Sequence, residues 1–281
     1  MKKSIITLLA LTLSLGLTAC GSSSTAEEST SEDGKTVVKV GVVGEYNAQW
    51  DTINELLADD GIEVELVKFT DYAAPNRALN DGEIDLNAFQ HKAFLANDIQ
   101  QNGYEIESIG DTIIAPLSIY NNKDKISSVE EIKDGDIIAI PSDLTNGGRA
   151  LKLLEAAGLI ECDPAKGYVP TKADITKYNV QIEILEAESA TLANLLPDCT
   201  AALINGGNAF TAGLNPNEDA IFTEDINPET NAATPDLINV IAARSEDKDN
   251  EVYQKIVEAY QSEETRQTIE ESYQGAFICA W

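Results

Sequence analysis

Residues 37–69 read "VVKVGVVGEYNAQWDTINELLADDGIEVELVKF": an apolar strand, an amphipathic helix and a second apolar strand, with β-branched runs closed by glycine or acidic turns. Alternation of this kind predicts an α/β unit with a mostly parallel sheet. A second set follows the extended stretch "IESIGDTIIAPLSIYNN". In it "DIIAIPSD" reads as strand, "TNGGRALKLLEAAG" as helix, and "VQIEILEAE" and "TAALING" as strands. Near the end, "DLINVIAARSED" has the pattern of a strand returning to the first unit, followed by polar helices from about Asn250 to Ser272. Two α/β lobes are expected, with no internal repeat.

Working outward, the chain opens with Lys2 and Lys3, an apolar run from Ile5 to Leu17, and then "LTACGSSS". Charge, apolar core and small residues in this order form an export signal, too short to span a membrane in a mature protein. Leu17, Thr18, Ala19 and Cys20 resemble the lipobox of bacterial lipoproteins, which marks Cys20 for acylation; the alternative is an ordinary secretory signal with an incidental Cys20. Residues 20–36, small, polar and acidic without apolar periodicity, are expected to be a disordered tether, because they bury too little surface to offset their ordering entropy.

The formal net charge of −29 disfavours nucleic acid and anionic headgroups as partners of the bulk surface. Contact with the membrane is therefore expected through the lipid anchor only. Cys162, Cys199 and Cys279 leave an odd number without C-x-x-C spacing, so at most one internal disulfide can form and the pair is not readable.

In open α/β sheets ligands sit beyond the carboxyl ends of strands, which directs the search to strand-to-helix junctions. "FTDYAAPN" puts Tyr72 in such a loop, with Pro75 near a helix start. "IDLNAFQHKAF" places Phe89 and His91 on one face of an extended segment, with Phe94 close by as the rest of an aromatic wall. In "IPSDLTNGGRALKLLEAAGL", Thr145 or Asn146 can cap a helix, which puts Arg149 in or near its first turn. A cation there is disfavoured by the helix dipole, so Arg149 either holds an anion together with free amides or pairs with a surface carboxylate. "ALINGGNAFTAGL" ends a strand at Asn205, whose amide offers donor and acceptor, although Asn-Gly is also a common turn pair.

His91 is the single histidine of the chain. One histidine without a carboxylate cluster at ligand spacing does not make a metal site, and neither a G-x-S-x-G elbow nor a cysteine-protease context supplies a nucleophile. No catalytic residue, cofactor or metal is expected. Phosphate-loop spacing is absent as well.

Taken in order, "TDYAAPNRALNDGEIDLNAFQHKAFL", "AIPSDLTNGGRALKLLEAAGLI" and "AALINGGNAFTAGLNP" resemble the methionine-binding lipoprotein family, also called NlpA or MetQ, over nearly the whole chain after the tether. The resemblance implies a two-lobed periplasmic-binding-protein-like fold with a ligand cleft between lobes and two hinge crossovers. Lobe 1 would take residues 37–116 and 236–281, and lobe 2 residues 117–235, after a signal peptide over 1–19. It further implies that Arg149 grips a ligand carboxylate through a bidentate pair, that Asn205 and Asn239 bond its backbone groups, and that Tyr72, Phe89 and His91 enclose its side chain. Phe94 stands where the family usually has tyrosine, and the segment before Asn239 departs from the family's aromatic-containing form. The implied activity is capture of methionine on the extracytoplasmic face and delivery to an ABC permease and ATPase complex. Alternatives are a methionine-containing dipeptide or another hydrophobic amino acid as ligand and, from other classes, a secreted enzyme on the same fold or a surface adhesin.

Overall fold

The computed structural model describes residues 34–281 and the backbone of 29–30; the expected signal segment, Cys20 and most of the tether lie outside the described residues. A two-residue strand β1 (Ser29–Thr30) pairs with β2 (Thr36–Val43). Helix α1 (Ala48–Leu57) leads to β3 (Ile62–Phe69), α2 (Ala74–Asn80) to β4 (Leu86–His91), and α3 (Lys92–Asn102) to β5 (Ile106–Asp111). After β6 (Ile113–Ile114), Ala115 and Pro116 carry the chain into β7 (Leu117–Asn121), β8 (Ile137–Pro141) and α4 (Leu144–Ala156). There follow a ribbon of β9 (Ile160–Cys162) and β10 (Ile175–Tyr178), then β11 (Glu183–Ala187), α5 (Leu192–Leu195), β12 (Ala201–Asn205), α6 (Gly206–Thr211) and β13 (Ala220–Thr223). The last elements are β14 (Asn239–Arg244), α7 (Glu251–Tyr260), α8 (Glu263–Tyr273) and β15 (Ile278–Cys279), which pairs with β6.

Two main sheets result. One has the order β1-β2-β4-β14-β5 with β3 on β2; the other runs β11-β8-β12-β7-β13. Neither is mostly parallel, and that expectation is corrected. β2 is parallel to β3 and β4, but β14 arrives from the far sheet and inserts antiparallel between β4 and β5. In the second sheet β8 is parallel to β11 and β12, whereas β7 runs antiparallel to β12 and β13. A strand that enters through a hinge crossover, rather than through a returning helix, has no need to run parallel.

Each sheet buries its own apolar layer. Trp50, Ile53 and Leu57 of α1 meet Val38 and Val40 of β2 and Ile256 of α7. In the other unit Leu151 and Leu154 of α4 lie on Ile138 and Ile140 of β8. Burial of each such side chain contributes about 1.5–3 kcal/mol, which fixes where the strand ends point. A buried amide cluster adds direction: Asn76 Nδ2 donates to Gln90 Oε1 at 2.7 Å, and Asn87 Nδ2 donates to Asn76 Oδ1 at 2.9 Å, locking α2 to β4. Among the described residues no helix is long and apolar enough to cross a membrane. Cys162, Cys199 and Cys279 carry free thiols.

Candidate functional site

The ends of β2, β4, β8 and β12 converge, and residues at and just beyond them face one small cavity between the two sheets. Its walls include all seven ligand-binding residues expected from the sequence: Tyr72, Phe89, His91, Phe94, Arg149, Asn205 and Asn239. Sequence reasoning missed Tyr46, Gln90, Asn146, Gly206 and Gly207, which also line it. Tyr46 was detectable, since it too stands in a strand-to-helix junction, between β2 and α1.

One end is apolar and aromatic. Tyr72 lies 5.9 Å from Phe89 and 6.0 Å from Phe94, centroid to centroid, and Phe89 and Phe94 meet edge to face at 6.0 Å. Val43 closes the cluster from behind. Burial pushes the Tyr72 hydroxyl well above its ordinary pKa, with the Tyr46 and Asp143 charges adding to the shift and Arg149 opposing it, so the phenol stays protonated.

His91 stands between the two ends and is also the N-cap of α3, where its Nδ1 accepts the Phe94 amide at 3.1 Å. The proton therefore sits on Nε2, which donates to Asn146 Oδ1 at 3.2 Å across the cleft. Burial first and the Arg149 charge second lower the His91 pKa to about 3, with the Asn146 bond offsetting only part of their effect. The imidazole is neutral and serves as a wall and a bridge.

The other end is polar. Asp143, not Thr145 or Asn146, caps α4, accepting the Asn146 amide at 2.9 Å. That correction moves Arg149 out of the first turn and into the second, on a buried helix face. Its guanidinium differs from expectation in a second way: Nε donates to Glu224 Oε1 at 2.8 Å, and Nη2 to Glu224 Oε2 at 2.5 Å and to the Ala115 carbonyl at 3.0 Å. The partner is a buried carboxylate just after β13, not one on the surface. Two nitrogens of the fork are thereby engaged, and among the described residues Nη1 alone meets no acceptor. Asn205 Nδ2 donates to Asn146 Oδ1 at 2.8 Å, while Asn205 Oδ1, buried, has no partner among the described residues. Nothing in the sequence pointed to Glu224, because it lies 75 residues from Arg149.

The lobes touch closely at this point. A Cβ on Gly207 would stand 2.5 Å from Cε1 of Tyr46, so only glycine lets that ring lie against α6. Phe210 of α6 packs against Tyr273 and Phe277 from the other end of the chain, at 5.0 and 6.0 Å. Gln49 Nε2 donates to the Tyr46 carbonyl at 3.3 Å and Gln49 Oε1 accepts the Tyr273 hydroxyl at 2.6 Å, which anchors the loop. Among the described residues no group of three or more metal-capable side chains lies together.

Two sheets joined by crossovers, with a small cavity walled from both sides, define a two-lobed substrate-binding protein. A family model described as NlpA lipoprotein matches residues 38–281, and the chain belongs to that family. It is similar to the D-methionine-binding lipoprotein MetQ of Salmonella typhimurium, 37% identical over 276 residues, 97% of this chain and 96% of the relative. Among solved structures, a nutrient binding protein from Burkholderia cenocepacia bound to methionine is 34% identical, with a TM-score of 0.81 over 87% of this chain and 100% of that one. The substrate binding protein of a methionine transporter from Streptococcus pneumoniae is also 34% identical, with a TM-score of 0.82 over 88% and 96%.

Proposed function

We propose that this protein captures methionine outside the cytoplasm and delivers it to the permease and ATPase of an ABC importer, held at the membrane by a lipid on Cys20. The observation that carries the reading is the split character of one cavity: Arg149 and Asn205, whose Oδ1 is buried without a partner, at one end, and the rings of Tyr72, Phe89 and Phe94 at the other. In this reading Arg149 takes the carboxylate, Asn205 and Asn239 hold the α-amino acid backbone, and His91 flanks the side chain. A thioether is polarizable and gains about 0.3–1.5 kcal/mol per aromatic contact, which suits the ring cluster. The names of the relatives support the same ligand.

The moving bodies proposed are residues 37–116 with 236–281, and residues 117–235, hinged at Ala115–Pro116 and at the return before Asn239. The test is calorimetric titration with L-methionine, D-methionine, methionyl dipeptides and other apolar amino acids. Saturable binding of a methionine enantiomer ahead of the rest is expected; a tighter dipeptide or leucine, or no binding at all, overturns the assignment. Replacing Cys20 with alanine is expected to move the protein from the membrane fraction to the soluble one.

A further inference from the structure

Arg149 is buried and the Glu224 side chain nearly so, and their contact is more than a single ion pair. Glu224 receives three bonds from Nε and Nη2, and its Oε2 also accepts the Leu117 amide at 3.2 Å. Its own backbone N–H donates to the Leu117 carbonyl at 3.0 Å. Since Nη2 bonds the Ala115 carbonyl, the pair is tied to the chain where it crosses between sheets.

The consequence is electrostatic. A lone buried guanidinium would present a full positive charge to any carboxylate, whereas one already neutralised presents a dipole. A carboxylate arriving alone would leave the enclosed site with a net negative charge, and unpaired buried charge is strongly disfavoured. An incoming zwitterion adds none. The unpartnered atom matches that account: Asn205 Oδ1 is buried and requires a donor, which an ammonium group supplies, while Arg149 bonds Glu224 and Ala115 through Nε and Nη2 only. Of the other ionisable neighbours, His91 is neutral, and Asp143, bonded by Asn146 Nδ2 and the Thr145 hydroxyl at 3.0 Å each, does not line the cavity.

We propose that Glu224 is a specificity-determining residue which, by neutralising Arg149, makes the site accept zwitterionic amino acids and reject carboxylates that lack an ammonium group. This rests on the amino-acid reading of the cavity given above. The variant is Glu224→Gln, which keeps the shape and an acceptor for Nε but removes the charge.

L-Methionine and 4-(methylthio)butanoate, the same molecule without its amine, are titrated into both proteins. The wild type is expected to prefer methionine, and in Glu224→Gln the preference is expected to narrow by at least about tenfold through tighter binding of the amine-free acid. Millimolar acetate is expected to raise the melting temperature of the variant and not of the wild type. If the ratio is unchanged and acetate has no effect on the variant, Glu224 is only structural and the inference fails. Should Glu224→Gln not fold, the wild type decides: amine-free acid bound within about threefold of methionine overturns the inference. A wild type that binds no methionine overturns the proposed function alone, because the acetate comparison still tests the role of Glu224.

Discussion

At the polar end of the cavity, Arg149, Glu224, Asn146 and Asn205 are joined by bonds whose every member is buried or nearly so. At the aromatic end, Tyr72, Phe89 and Phe94 touch ring to ring without a hydrogen bond between them. The two ends respond differently to change. Removing one partner of a buried charge pair exposes the other to a medium that cannot solvate it, whereas removing one ring subtracts dispersion and leaves the remaining contacts in place. The polar end therefore behaves as all or none, and the aromatic end is graded.

The largest effect is expected from Arg149→Ala, which strands the Glu224 carboxylate. Folding stability is expected to fall by about 3–5 kcal/mol and methionine binding by at least about a hundredfold, measured by denaturant titration and calorimetry. Unchanged binding would break the comparison by removing Arg149 from the site. Phe89→Ala is expected to cost about 3–5 kcal/mol in stability, as for a core aromatic, but only about tenfold in affinity. A loss of affinity as large as that for Arg149 would show that the rings, too, act as a unit.

His91, between the ends, sharpens the contrast through pH. Its value in the folded protein lies below that of the unfolded chain, so its contribution is fully present above about pH 6.5 and is lost as pH falls toward 3. Glutamine keeps a donor for Asn146 and does not titrate. The stability gap between wild type and His91→Gln is accordingly expected to shrink between pH 7.5 and pH 5, by up to about 1.4 kcal/mol per pH unit. A gap independent of pH would mean that His91 can charge where it stands. The smallest effect is expected from Phe94→Tyr, which adds the hydroxyl found at this place in the family pattern to a ring at the cavity edge; affinity should change by less than about threefold.

Much of the site was legible because strand-to-helix junctions are local features. Tyr72, Phe89, His91, Arg149 and Asn205 stand at the ends of apolar runs, and the resemblance to the methionine-binding lipoproteins added Asn239. Tyr46 obeys the same rule, since it stands between the end of β2 and the start of α1. The cap of α4 lies two or three residues before the expected Thr145 or Asn146, because Asp143, Thr145 and Asn146 are all competent caps and only the backbone angles select among them. Glu224 could not be read, since an acidic residue in so acidic a chain carries no signal.

The sequence by itself determined the α/β alternation, the absence of phosphate-loop spacing and the identity of most residues that line the cavity. These depend on periodicity and on short-range spacing, which survive in one dimension. Tertiary structure alone decided that β14 would run antiparallel between β4 and β5, that Tyr46 would lie against Gly207, and that Arg149 would be neutralised before any ligand arrives. Each depends on which distant segments the two cores bring within a few ångströms, and burial there turns an ordinary surface pairing into one that sets the charge of the site.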